Sequence, residues 1–123
     1  MADGLSVTVA NAALTSITGT DAGFVQLHTG SPGANGTSNV SSVTTRPAVT
    51  WAAASAASIA ASNQPAWTNW AGTNGEVDTD ISFWSASSSG TFGFSIQLGT
   101  SVTMNVGDSL TLTSVTITLP TAS

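Results

Sequence analysis

With 123 residues, six acids, a single strong base and a formal net charge of −5, the chain is one small domain that repels phosphate backbones and anionic lipid. It has no cysteine, which excludes disulfides, thiolate metal sites and a cysteine nucleophile, and no run approaches the ~18 apolar residues of a membrane span. Charged residues make up 6% against a usual share of about 25%, so the surface is polar through Ser and Thr hydroxyls, as biased host composition or coverage by neighbouring subunits would each produce.

Residues 1–22 form an N-terminal segment of mixed signals. Leu5, Val7 and Val9 alternate as in a strand, while Val9, Ala10, Ala13, Leu14 and Ile17 keep helical spacing. The reading adopted is a short helix beginning near Ser6, with Gly19 just past its end. The opening MADGLSVTVANAALTSITG lacks the basic n-region of a signal peptide, which predicts a protein made and kept in a cytoplasm until release.

Residues 23–123 read as a β domain. In FVQLH, Val25 and Leu27 point one way and Phe24, Gln26 and His28 the other. Gly, Pro, Asn, Ser and Thr then dominate a long surface loop over 30–45, a length that marks a functional or mobile segment. A strand is predicted over Arg46–Ala53, with Val49 and Trp51 on one face and Pro47 at its start or edge. Ser58–Ser62 reads as extended. Trp67 and Trp70 cannot share a strand face, so a bulge or turn is predicted between them.

EVDTDISFW is the clearest strand: Val77, Thr79, Ile81 and Phe83 make one face, and Glu76, Asp78, Asp80 and Ser82 the other. SASSSG turns the chain into the alternation of Phe92, Phe94, Ile96 and Leu98, followed by Val102, Met104 and Val106. A tight turn is predicted at Gly107-Asp108. Leu110 and Leu112 are even, whereas Val115, Ile117 and Leu119 are odd, so an extra residue near Thr113-Ser114 must change the parity. Short strands with turns roughly every 8 to 12 residues predict an all-β fold, an antiparallel β-sandwich or jelly-roll-like barrel, carrying a short N-terminal helix.

Few residues offer chemistry. His28 is the only imidazole, no serine lies in a G-x-S-x-G elbow, and a strand-end ring can bond a backbone carbonyl instead of a substrate. Glu76, Asp78 and Asp80 project from one strand face about 7 Å apart, a spacing compatible with a glycosidase pair or a cation site. A flat strand lacks the curved backbone of a calcium loop, so the simpler reading is a solvated face that discourages edge pairing. No phosphate-binding glycine loop is present. Trp51, Trp67, Trp70 and Trp84 offer a sugar-stacking platform, with Trp67 and Trp70 near a turn, or else core. No cofactor and no metal is expected.

Taken together, LHTGSPG, the Arg46–Trp51 strand, ISFWSAS with its glycine turn, and NVGDSLTL follow one another in an order and spacing spread over nearly the whole chain. In that order the chain resembles a family of small tailed-bacteriophage virion proteins, described as tail-fibre-like or as capsid decoration or minor capsid proteins. The resemblance implies a structural β domain with no catalytic residues to carry over. It places His28 in the framework or at a subunit contact, where a strand leaves the sandwich for a variable loop.

A tail fibre usually needs a long stem with repeats or heptads, and the sequence shows none. The expected role is therefore a non-enzymatic capsid decoration protein on the outer head surface, made in the host bacterial cytoplasm. Its expected partners are the major capsid protein and sister copies in a homo-trimer at local three-fold positions, with avidity reinforcing the shell. A tail- or fibre-associated protein and a carbohydrate-binding β module are the alternatives. The N-terminal segment and the 30–45 loop are expected to supply contacts, because neither buries itself easily in a small sandwich. The interface residues so named are Leu5, Val7, Val9, Leu14, His28, Pro32, Arg46, Trp67 and Trp70.

Overall fold

The computed structural model describes residues 3–122. In chain order it contains helix α1 (Val7–Thr20) and strands β1 (Phe24–His28), β2 (Ser58–Ala60), β3 (Ala66–Trp67), β4 (Glu76–Trp84), β5 (Phe92–Met104), β6 (Leu110–Thr111) and β7 (Thr116–Thr118). The main sheet has the order β1-β4-β5, and β2–β7 and β3–β6 form separate two-stranded ribbons. Every pairing between these strands is antiparallel. The fold is all-β with one N-terminal helix.

Ser6 starts α1 as an N-cap, its hydroxyl accepting the Val9 N–H at 3.2 Å. Ala10, Leu14 and Thr18, each four residues on, form the buried stripe. Asn11 fastens the helix to the rest of the chain by accepting the Ala57 N–H at 2.9 Å. Gly19 is not the stop that its position suggested: the helix continues to Thr20 and ends at Asp21. Val9 and Ile17 are not buried either, since the stripe through Ala10 and Leu14 leaves them at 52% and 39% exposure.

The odd face of β1 and of the Ile81–Phe83 part of β4 builds the core, but beyond the register shift Val77, expected on that face, is 43% exposed while Asp78 is buried opposite Val102. Val25 and Leu27 from β1 and Ile81 and Phe83 from β4 pack with Val49, Trp67, Trp70, Met104, Leu112 and Val115 in one cluster. Phe94 stacks on Phe83 with ring centroids 4.5 Å apart. Strand β4 occupies Glu76–Trp84, the nine residues that alternation marked out. Along β5 the register slips twice against it, once between Asp78 and Asp80 and once between Phe83 and Trp84. The second slip accommodates Gly93, where a Cβ would collide with the Asp21 carbonyl, so the helix end can lie against the strand.

Three other expectations change. Arg46–Ala53 is not a strand: Ala48 and Trp51 make only isolated bridges, to Phe24 and Ala61, because the segment leaves the edge of β1 to reach β2. The parity change after Leu112 is a break rather than a single bulge, since β6 pairs with β3 and β7 pairs with β2. The 30–45 loop is not left outside the domain. Pro32, Gly36 and Ser41 are buried, and Gly36, at φ 71°, lies flat against the Phe92 ring where no side chain would fit. The turn between Trp67 and Trp70 is present, with Asn69 at φ 51°.

Candidate functional site

The loop closes over the even face of β1 and β4. Their register sets Phe24 opposite Trp84, Gln26 opposite Ser82 and His28 opposite Asp80, so one sheet face carries an amide, an imidazole, a hydroxyl, carboxylates and an indole. Gln26, His28, Asp78 and Ser82 are buried, while Glu76 and Asp80 are half-buried.

Within it, His28 and Ser82 form a hydrogen-bonded pair. Nε2 of His28 lies 2.6 Å from Ser82 Oγ, and Nδ1 lies 2.9 Å from the Ser38 carbonyl. A carbonyl only accepts, so Nδ1 carries the proton and the bare Nε2 accepts from the Ser82 hydroxyl. Trp84 Nε1 donates to the same Ser82 oxygen at 2.7 Å. Burial lowers the His28 pKa from its ordinary 6.5, partly opposed by the hydrogen bond to Ser38, so the ring is neutral at pH 7.

A neutral imidazole accepting a serine proton is the geometry of a base–nucleophile pair. Here both side chains are 0% exposed, the Ser82 oxygen already accepts an indole N–H, and a backbone carbonyl stands where a triad has its carboxylate. The bonds run from Trp84 through Ser82 and His28 to Ser38, joining the sheet to the loop. The pair is a lock between them.

Arg46 closes the neighbouring corner. Its guanidinium lies 4.1 Å from the centroid of the Trp84 ring and donates to the carbonyls of Ala86 and Ser89 at 3.0 and 2.7 Å and to Gln26 at 3.3 Å. The carboxylate row continues along β4 across its register shift, and it is not freely solvated: Glu76 and Asp80 are half-buried. Asp78 is 0% exposed, with Val102 opposite it on β5. Glu76 accepts from Ser41 Oγ at 2.5 Å and from the Ser42 N–H at 3.0 Å, and Asp80 accepts from Thr79 at 2.6 Å. Among the described residues no group of three or more His, Cys, Asp or Glu converges in a way that would hold a metal ion.

Of the residues named for contacts, Leu14, His28, Pro32, Trp67 and Trp70 are buried within the chain itself. Leu5, Val7 and Val9 remain exposed, at 39%, 48% and 52%, and Arg46 is half-buried. Trp67 and Trp70 do not form a stacking platform: they are 3% and 2% exposed, and their indole N–H groups donate to the carbonyls of Thr45 and Thr73. Trp51 donates likewise to Ala22. A groove of about 630 Å³ between α1 and residues 49–54 is lined by Thr, Gly, Ala, Val, Ile and Trp51, with no titratable side chain.

Sequence reasoning missed Ser82, Trp84 and Ser38 as partners of His28. Parity put Ser82 on the even face, but only the β1–β4 register brings it under the ring. Among protein families, the model described as "Podophage GP4 fiber I protein gp80" matches residues 1–120. No curated protein matches the chain.

Proposed function

The chain belongs to the podophage GP4 fiber I protein gp80 family, and from that premise we propose that it is a non-enzymatic structural protein of the virion carried on the tail fibre apparatus. The family match over residues 1–120 carries this reading. The polar face supports it, since its imidazole and serine are spent on fixing a loop and are closed to a substrate. Contacts to neighbouring subunits would come from the exposed apolar residues Leu5, Val7 and Val9 at the start of α1. That end is anchored, because Leu5 bridges Thr121 and accepts the Ala122 N–H at 2.8 Å.

A second reading, an outer capsid decoration protein, is favoured by one observation: the chain has neither the heptads nor the repeats of a fibre stem. It would then be a trimer seated on the major capsid protein at local three-fold positions. Immunogold labelling of intact virions separates the two. Gold at the tail or its fibres is the expected result; gold spread over the head would replace the fibre reading with the decoration one.

A further inference from the structure

We propose that Asp78 and Glu76 hold one proton between them, and that this shared proton is a pH-dependent clasp fastening the 41–43 segment to β4. Both Asp78 oxygens are buried, and among the described residues no donor reaches either of them. The polar group that Asp78 does meet is the Glu76 carboxyl, two residues along the same strand face. Two carboxylates are both acceptors and repel each other, so contact between them in a water-excluded place requires a proton on one. Glu76 accepts from Ser41 and Ser42, which favours its charged form. Asp78 therefore carries the proton and donates it.

Among the described residues the surroundings supply no other counter-charge. Across β5, Val102 is the partner of Asp78 and Met104 that of Glu76. On β4 the next side chain along this face, Asp80, is engaged with Thr79, and on β1 His28 is neutral and engaged at both nitrogens. The 41–43 segment brings only hydroxyls, backbone groups and Val43, and Thr73, whose N–H bonds Ser42, is uncharged. Arg46 is turned toward Gln26, Ala86 and Ser89.

Burial, then the hydrogen bond and repulsion from Glu76, raise the Asp78 pKa from 3.8 to about 7. Between those values the folded chain keeps a proton that the unfolded chain releases, so raising the pH favours unfolding until both forms are ionised. Glu76 works in the opposite sense. Burial would raise its pKa, but the hydrogen bonds from Ser41 and Ser42 and the one with Asp78 outweigh it, and the net shift is downward from 4.5. Its contribution is present above that value and is lost as the pH falls.

His28, lowered from 6.5, adds a pH dependence of its own, which an Asp78 variant retains. The test is therefore a difference. Thermal midpoints of the full chain and of Asp78→Asn are compared from about pH 4 to about pH 9, in chelator and again with millimolar calcium chloride. The expected result is near-equal midpoints at the acid end, a gap in favour of Asp78→Asn that opens toward neutral pH, and a constant gap above it. The unmodified chain should also show the infrared band of a protonated carboxylic acid under mildly acidic conditions, fading in alkali, which needs no variant to fold. A gap that does not vary with pH, or no such band, overturns the clasp. Calcium that closes the gap at alkaline pH also overturns it, because the two carboxylates would then be sharing a cation.

Discussion

Two polar clusters lie along β4, four residues apart and on either side of its register shift, and they are built to opposite standards. At Ser82 every donor has an acceptor: Trp84 donates to Ser82, Ser82 to His28, and His28 to Ser38. At Asp78 no donor arrives from any described residue. The first cluster is complete with the protons it already owns, so its burial costs little and its geometry is fixed. The second is complete only if one carboxyl group stays protonated. The same loop bonds to both, through Ser38 to His28 and through Ser41 and Ser42 to Glu76, and the difference follows from residue type. A hydroxyl and an imidazole both donate and accept, and can close a network, whereas two carboxylates cannot.

The largest expected effect comes from breaking the complete cluster. Ser82→Ala leaves the Trp84 N–H and the His28 Nε2 without partners in a sealed space, each a loss of about 1–3 kcal/mol. The variant should unfold at clearly lower urea concentration than the unmodified chain, with the slope of the transition unchanged. If its stability stays within about 0.5 kcal/mol, water reaches that face and the lock described here does not exist.

Arg46→Lys should have a smaller effect, and it sharpens the comparison because it keeps the charge while removing the fork. A lysine cannot stack flat on Trp84 while also donating to Ala86 and Ser89. The expected loss is about 1–2 kcal/mol, accompanied by a change in tryptophan emission as the Trp84 ring becomes solvated. A variant matching the parent in both respects would show that the 85–90 turn is held by its own bonds, such as Ser85 N–H to Thr91, and not by Arg46.

How much of this was legible beforehand follows from the range of each signal. Alternation is local, and it marks β4 at its full length, Glu76–Trp84, but it divides the faces correctly only over Ile81–Trp84: at the other end Val77 is exposed and Asp78 is buried, on the far side of a register shift that no local pattern reveals. The start of the helix near Ser6 is equally local. Which face the loop would cover is not, because closing 30–45 over the sheet depends on contacts across more than 30 residues, such as Ser41 with Glu76. Polar side chains on a strand normally mean solvent, and that rule fails when a loop rich in Gly and Pro can lie flat against them. The tryptophans were ambiguous for the same reason, since a turn through Asn69 can direct both Trp67 and Trp70 inward. His28 was read as a strand-end ring bonding a carbonyl, and the carbonyl is that of Ser38.

The smallest expected effect lies far from both clusters and measures what a locally imperfect choice costs. Ala56 and Ala57 occupy the centre of the tight turn before β2, at φ 51° and 60°, while Ser55 and Ser58 exchange both backbone hydrogen bonds at 2.9 Å. Such a turn needs positive φ at both central positions, which glycine and asparagine adopt far more readily than alanine. Ala57 is buried and its N–H is held by Asn11, so that position is constrained by packing. Ala56 is exposed and bonds to nothing beyond the turn, so Ala56→Gly should relieve strain without opening a cavity. The glycine also loses more freedom on folding, and the net gain should be about 0.5 kcal/mol, visible as a thermal midpoint raised by roughly 2 °C. A lowered midpoint would mean that this turn is imposed by the docking of α1 through Asn11, with Ala56 contributing to the unfolded state rather than to strain.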